Sequence, residues 1–207
     1  MLRSRTAIVA ALLALAFAPA CPADSGETDT EAASAGTTTA TAPTTGAEID
    51  QTCAGYCGAV TTACTGPNAQ YSGMDTCMGS CKAFATGTAD DTAGNTLGCR
   101  IYHASVAAKD APSAAMHCTH AGPGGADICG GNCEGFCTVA LDACPTTYAD
   151  AAACESACAA FDMTEPYDAG DVAGDTFACR LYHLTVATTL PDAHCPHIQP
   201  TSATCGG

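Results

Sequence analysis

The sequence predicts a mainly α-helical fold: two tandem small domains, each a disulfide-stapled helical hairpin plus a third helix, after a disordered linker. Three observations predict it. Seventeen of the 207 residues are cysteine, the composition of a disulfide scaffold in an oxidising compartment. Many of these cysteines recur at helical spacing. The whole cysteine pattern occurs twice.

Composition narrows the function classes. The formal charge is −15 with only six Lys+Arg, so a polyanion is repelled, which argues against nucleic acid as a partner. There is no Trp and aromatic residues make up 5%. The apolar fraction consists largely of Ala and Cys, so cross-links must supply stability that a small aliphatic core does not.

Residues 1–20, "MLRSRTAIVAALLALAFAPA", combine Arg3 and Arg5 with a short apolar run and then small residues. That is the pattern of a secretory signal peptide, too short for a comfortable membrane span. Ala18-Pro19-Ala20-Cys21 resembles the lipobox of bacterial lipoproteins, with Ala18 where Leu is usual. The resemblance implies a lipid on Cys21 and a protein facing the periplasm or cell surface. The same three residues also form a small-x-small site for ordinary signal peptidase, and both readings cut before Cys21. Sixteen cysteines lie beyond residue 50, and Cys21 is the odd one out. An unpaired Cys in an exported chain needs a partner or a modification, and lipidation supplies one. Residues 21–50 are then a disordered Thr/Ala/acidic linker, because the segment has too few large apolar residues to bury. As a flexible tether it spans about 30 Å root-mean-square.

The remainder is one unit written twice, 51–130 and 131–207. Cys53, Cys57, Cys64, Cys77, Cys81, Cys99, Cys118 and Cys129 correspond in order to Cys133, Cys137, Cys144, Cys154, Cys158, Cys179, Cys195 and Cys205. Phe84 matches Phe161, Gly94 matches Gly174, and "CRIYH" matches "CRLYH". This is a strong internal repeat.

Each element follows from spacing. Cys53, Cys57 and Cys64 lie 4 and 7 apart, on one face of a helix; a strand would turn Cys64 to the opposite face. Cys77, Cys81 and Phe84, and in the second copy Cys154, Cys158 and Phe161, define a second helix. Two antiparallel Cys-x-x-x-Cys helices are bridged twice, by Cys53–Cys81 and Cys57–Cys77, and by Cys133–Cys158 and Cys137–Cys154. The spacing resembles the twin Cys-x-x-x-Cys hairpins of small mitochondrial intermembrane-space chaperones, an architectural likeness that carries no function. A third helix begins at Asn95 or Thr96, and at Asp175 or Thr176, all good N-caps. Its inward face is expected to hold Cys99, Tyr102, His103 and Val106, or Cys179, Tyr182, His183 and Val186, with Arg100 and Arg180 on the flank, pairing with a carboxylate or capping carbonyls. Cys64–Cys99 and Cys144–Cys179 are then the natural bridges from this helix to the hairpin, the expected choice among the many connectivities that eight cysteines allow. Cys118–Cys129 and Cys195–Cys205 close a terminal loop.

The six histidines fall three per copy: His103, His117 and His120, then His183, His194 and His197. If the terminal loop folds over the third helix, three imidazoles converge, a donor set suited to Zn²⁺ or Cu²⁺. A buried histidine beside a bridging cysteine also serves simple packing. There is no Cys-x-x-Cys, His-Glu-x-x-His, Gly-x-Ser-x-Gly or phosphate loop, and the acids Asp90, Asp91, Asp171 and Asp175 lack EF-hand spacing. The sequence therefore points away from an enzyme without excluding one. It points to an exported, lipid-anchored, cysteine-rich envelope or surface protein with a structural or partner-binding role and no cofactor. The alternative is a metal-binding or metal-dependent module using Zn or Cu at the histidine triads. The membrane, through the lipid, and an envelope or extracellular protein are the expected partners.

Overall fold

The computed structural model describes residues 49–206; the signal segment, Cys21 and nearly all of the linker lie outside them. The described residues form one compact helical unit containing both copies of the repeat.

The first copy runs α1 (Cys53–Ala63), α2 (Met74–Cys81), α3 (Leu97–Ala107) and α4 (Ala111–Ala121). The second runs α5 (Asn132–Ala143), α6 (Ala151–Cys158), α7 (Phe177–Ala187) and α8 (Pro191–His194), which passes directly into a 3₁₀ turn, Cys195–Ile198. Local chemistry sets most of the starts. The hydroxyls of Thr52, Thr96 and Thr176 accept from the backbone N–H three residues on, as do the carboxylates of Asp110 and Asp150. Each satisfies an otherwise orphaned N–H of the first turn.

The hairpins α1–α2 and α5–α6 are stapled by Cys53–Cys81 and Cys57–Cys77, and by Cys133–Cys158 and Cys137–Cys154. The other four bridges differ from the expected ones. Cys64 pairs with Cys118 and Cys99 with Cys129. In the second copy Cys144 pairs with Cys195 and Cys179 with Cys205. So Cys64–Cys99, Cys118–Cys129, Cys144–Cys179 and Cys195–Cys205 are not formed. The reason is a fourth helix that replaces the expected loop. Asp110 caps α4 with Pro112 in its first turn, and Ala114, Cys118 and Ala121, spaced 4 and 3, form its buried stripe. That stripe brings Cys118 to the C-cap of α1, where Cys64 stands, and leaves Cys99 to the closing segment.

The third helix is also rotated relative to expectation. Cys99 and His103 are buried as expected, but Leu97, Arg100, Ile101, Ala104 and Ala107 also face inward, Val106 is only partly buried and Tyr102 is 40% exposed. Arg100 and Arg180 lie in the core rather than on a flank, at 0% and 1% exposure. Each guanidinium lies over an aromatic ring, Phe84 at 3.7 Å and Phe161 at 4.2 Å, which offsets part of the cost of burying a cation.

The copies pack against each other through backbone and buried polar groups. Asn95 donates to Thr138 Oγ1 at 2.9 Å, and buried Gln70 donates to the Tyr167 carbonyl at 3.3 Å. Gly79 of α2 lies so close to Thr188 that a Cβ there would collide with its side chain. The missing Cβ of glycine lets the copies approach closely at this contact.

Candidate metal centre

In each copy the third helix and the segment after it bring three imidazoles together. In the first, His103 comes from α3, and His117 and His120 come from adjacent turns of α4. In the second, His183 comes from α7, His194 ends α8, and His197 lies in the 3₁₀ turn. In each triad one ring nitrogen per histidine can be chosen so that all three lie within 4.8 Å of one another. All six sequence-predicted histidines are thus brought together, three and three. The central ring is buried and its two companions are half-buried.

The central ring is oriented in the same way twice. His103 Nε2 donates to the Thr92 carbonyl at 3.2 Å, and His183 Nε2 donates to the Val172 carbonyl at 3.2 Å. Fixing the proton on Nε2 leaves Nδ1 with a free lone pair aimed at the cluster. Metal-ligating histidines commonly donate the distal N–H to a carbonyl in this way, which sets the tautomer and raises ligand basicity. The Nδ1 atoms of His103 and His117 are 2.7 Å apart, those of His183 and His194 are 2.8 Å apart, and those of His183 and His197 are 3.2 Å apart. A tetrahedral ion with bonds near 2.05 Å holds its ligands about 3.3 Å apart. The 3.2 Å pair already has that spacing. At 2.7–2.8 Å the others share a proton, donated by His117 or His194 into the Nδ1 of the central ring. An ion taking that proton's place has only to part the rings by about half an ångström.

Burial disfavours the charged form of five of these rings. It lowers His103, His117, His183 and His194 below the ordinary histidine value. His120 is pushed to about 4, by burial first and then by the neighbouring His103 and His117. Its Nδ1 is buried with no hydrogen-bond partner. Unpartnered buried nitrogens are uncommon in a packed protein.

Cys99 and Cys129 lie close enough to His103 to make a second conceivable donor set, as do Cys179 and Cys205 around His183. Both pairs are disulfides, so their sulfurs are not thiolate ligands. Of the loop acids, Asp91 accepts from Thr88 and Thr96, and Asp175 pairs with Arg180 at 2.7 Å. These are local structural bonds. Sequence reasoning did not find the carbonyls of Thr92 and Val172, because a backbone acceptor carries no residue-type signal.

Fold and site together define a class: a duplicated, helical, disulfide-locked protein with one histidine cluster per copy. A family model described as the BfoA family C-terminal domain matches residues 22–134 and again 131–207. The chain belongs to that family, and the two matches agree with its internal repeat. No curated protein and no solved structure matches the chain.

Proposed function

We propose that the protein is an exported metal-binding module in which each copy of the repeat holds one divalent first-row transition ion, Zn²⁺ or Cu²⁺, through three neutral imidazoles. The observation that carries this reading is the convergence of His103, His117 and His120, and of His183, His194 and His197, each around a ring oriented by a backbone carbonyl. Soft thiolate sites are closed to it because the cysteines of the described residues are consumed in disulfides. Imidazole sites suit Zn²⁺ and Cu²⁺, with Cu²⁺ bound more tightly at equal geometry. Three protein ligands leave a fourth position for water or an external ligand, so the ion exchanges more readily than in a closed four-ligand site.

The scaffold works outside the reducing cytoplasm, tethered by lipid on Cys21 through residues 22–50. The disulfides, the signal-like start and the odd Cys21 support this. No helix among the described residues is long and apolar enough to cross a membrane. Two experiments test the reading. Elemental analysis of the oxidised chain, produced by export and carrying no histidine tag, is expected to find about two ions per chain after incubation with Cu²⁺ or Zn²⁺; none would refute the metal reading. Mass spectrometry of the N-terminal peptide is expected to show diacylglycerol on Cys21; a free or unmodified Cys21 would refute the anchor.

A further inference from the structure

The two copies share a device that the metal reading does not require but that acts on the same site. The three carbonyls that follow the last histidine of each triad are all gripped. In the first copy Tyr56 donates its hydroxyl to the Ala121 carbonyl at 2.6 Å. Arg100 then donates Nε to Gly122 at 3.2 Å and Nη2 to Pro123 at 3.4 Å. In the second copy Tyr148 donates to the Ile198 carbonyl at 2.6 Å. Arg180 donates Nε to Gln199 at 3.4 Å and Nη2 to Pro200 at 3.3 Å. Counted from His120 and from His197, the carbonyls are one, two and three residues on in both copies.

The other end of each guanidinium is tied to the helix that carries the central histidine. Arg100 Nη1 donates to the carbonyl of Thr96, the N-cap of α3, at 3.2 Å, and Arg180 Nη1 donates to that of Thr176, the N-cap of α7, at 3.0 Å. One rigid planar cation therefore spans the start of the helix bearing His103 or His183 and the exit of the segment bearing the other two ligands. A guanidinium offers several N–H donors in a fixed fork, and a lysine ammonium cannot reproduce that geometry. The tyrosine is supplied differently in the two copies. Tyr56 from α1 serves the first, and its counterpart is Phe136. Tyr148, from the loop before α6, serves the second, and its counterpart Tyr71 instead hydrogen-bonds Tyr56 at 2.8 Å. The grip is kept although the residue providing it changes.

From this we infer that Arg100 and Arg180, with Tyr56 and Tyr148, are positioning residues of the two histidine centres: they set the distance between the central imidazole and the other two. The recurring Cys-Arg-x-Tyr-His segment is thereby a single unit, with the Cys anchoring the helix, the Arg fixing the ligand-bearing segment and the His binding. The inference rests on the metal reading above and adds the residues that tune it.

The test uses the full exported, oxidised chain in a His183→Ala background, so that only the first centre reports. The probe is Co²⁺, read by its visible absorption, followed by Zn²⁺ competition. Arg100→Lys and Tyr56→Phe are compared with the parent, alongside disulfide count and thermal midpoint. The expected result is a loss of metal affinity of about 10- to 100-fold for Arg100→Lys, and a smaller loss for Tyr56→Phe, the range seen for residues one shell behind a ligand. An altered Co²⁺ spectrum accompanies it. Arg180→Lys, placed instead in a His103→Ala background, is expected to act on the second centre in the same way. A purely structural role would lower the midpoint and leave affinity and spectrum unchanged, and that result overturns the inference. Phe is the natural residue at the matching position 136, so Tyr56→Phe keeps the test decisive if Arg100→Lys does not fold. If the parent with both centres intact binds none of Co²⁺, Zn²⁺ and Cu²⁺, the metal reading falls and the inference with it. If the parent binds and both variants match it, only the inference falls.

Discussion

The two copies reach one histidine geometry by different routes. In the first, His117 and His120 lie on α4, a helix of 11 residues. In the second, the corresponding segment is shorter, and His194 and His197 are divided between a four-residue helix and a 3₁₀ turn. Yet the short contact to the central ring is 2.7 Å in one and 2.8 Å in the other. Helical regularity is therefore not what places the ligands. What the copies share is the set of anchors: a bridge at the cysteine between the two outer histidines, a carbonyl behind the central ring, and an arginine gripping the exit. The copies also differ at the arginine. Arg180 has a carboxylate partner in Asp175. At the matching position stands Asn95, so Arg100 is held by carbonyls and an aromatic face.

The largest expected effect comes from the bridge between the outer histidines. Replacing Cys64 and Cys118, or Cys144 and Cys195, with Ala opens loops of 54 and 51 residues and is expected to cost about 4 kcal/mol each. Replacing Cys57 and Cys77, separated by 20 residues, is expected to cost about 3 kcal/mol. The comparison sharpens in the metal readout. The Cys144/Cys195 change should abolish binding in the second copy, because a four-residue helix has no stability of its own. The Cys64/Cys118 change should weaken the first copy less, and the Cys57/Cys77 change should spare it. Denaturant melts with metal analysis of each variant check the ranking. Equal metal loss in the two copies would break the comparison.

Acid is the next lever. Unfolded, His120 titrates near 6.5, whereas in the fold it is held at about 4. Between those values the unfolded chain binds a proton that the native chain refuses, so native stability falls as pH drops from 6.5 to 4. The ring is only half-buried, so solvent screening discounts the full displacement, and His120 alone is expected to contribute on the order of 1–2 kcal/mol to that fall. Chelator-treated protein, melted at pH 7 and pH 4.5, should lose more stability across that interval than a His120→Gln variant. Equal losses would remove His120 from the account.

The contact between copies ranks below this. Gly79→Val forces a side chain into Thr188 and is expected to lower stability by about 2 kcal/mol or less, since overpacking at an interface is relieved by small shifts. Metal stoichiometry should stay at its parent value. The smallest effect is expected for Asp175→Asn, which gives the second copy the first copy's residue. Asp175 is largely exposed, so the change should cost about 0.5–1 kcal/mol. A larger loss in melting experiments would mean that Arg180 depends on its carboxylate in a way that Arg100 does not.

The hairpins were legible because a four-residue cysteine spacing has a direct geometric meaning on a helix, and the third helices because Thr96 and Thr176 cap them openly. The fourth helix was hidden by the duplication itself. Asp110 and Pro112 are a good start signal, but the matching stretch of the second copy is short and broken by Pro196, and reading the two together favours a loop. The missed pairings follow from that loop. Cys64, Cys99, Cys118 and Cys129 sit on separate elements, and only the packing of α4 beside the end of α1 selects among their pairings. A helical wheel centred on Cys99 puts Arg100 on a flank, whereas the buried arc is wider and takes in Cys99, Arg100, His103, Ala104 and Ala107. The histidines were found by residue type and repetition. Their convergence depends on how the chain returns over α3 and α7, which no local spacing encodes.

The most direct test of the central claim is the metal content of the exported, oxidised chain, without affinity histidines, beside its His103→Ala/His183→Ala double variant. The account predicts about two Zn²⁺ or Cu²⁺ ions bound by the parent and none held tightly by the variant, with the eight disulfides of the described residues intact in both. A parent that stays metal-free in excess of both ions, or a variant that binds as the parent does, would contradict it.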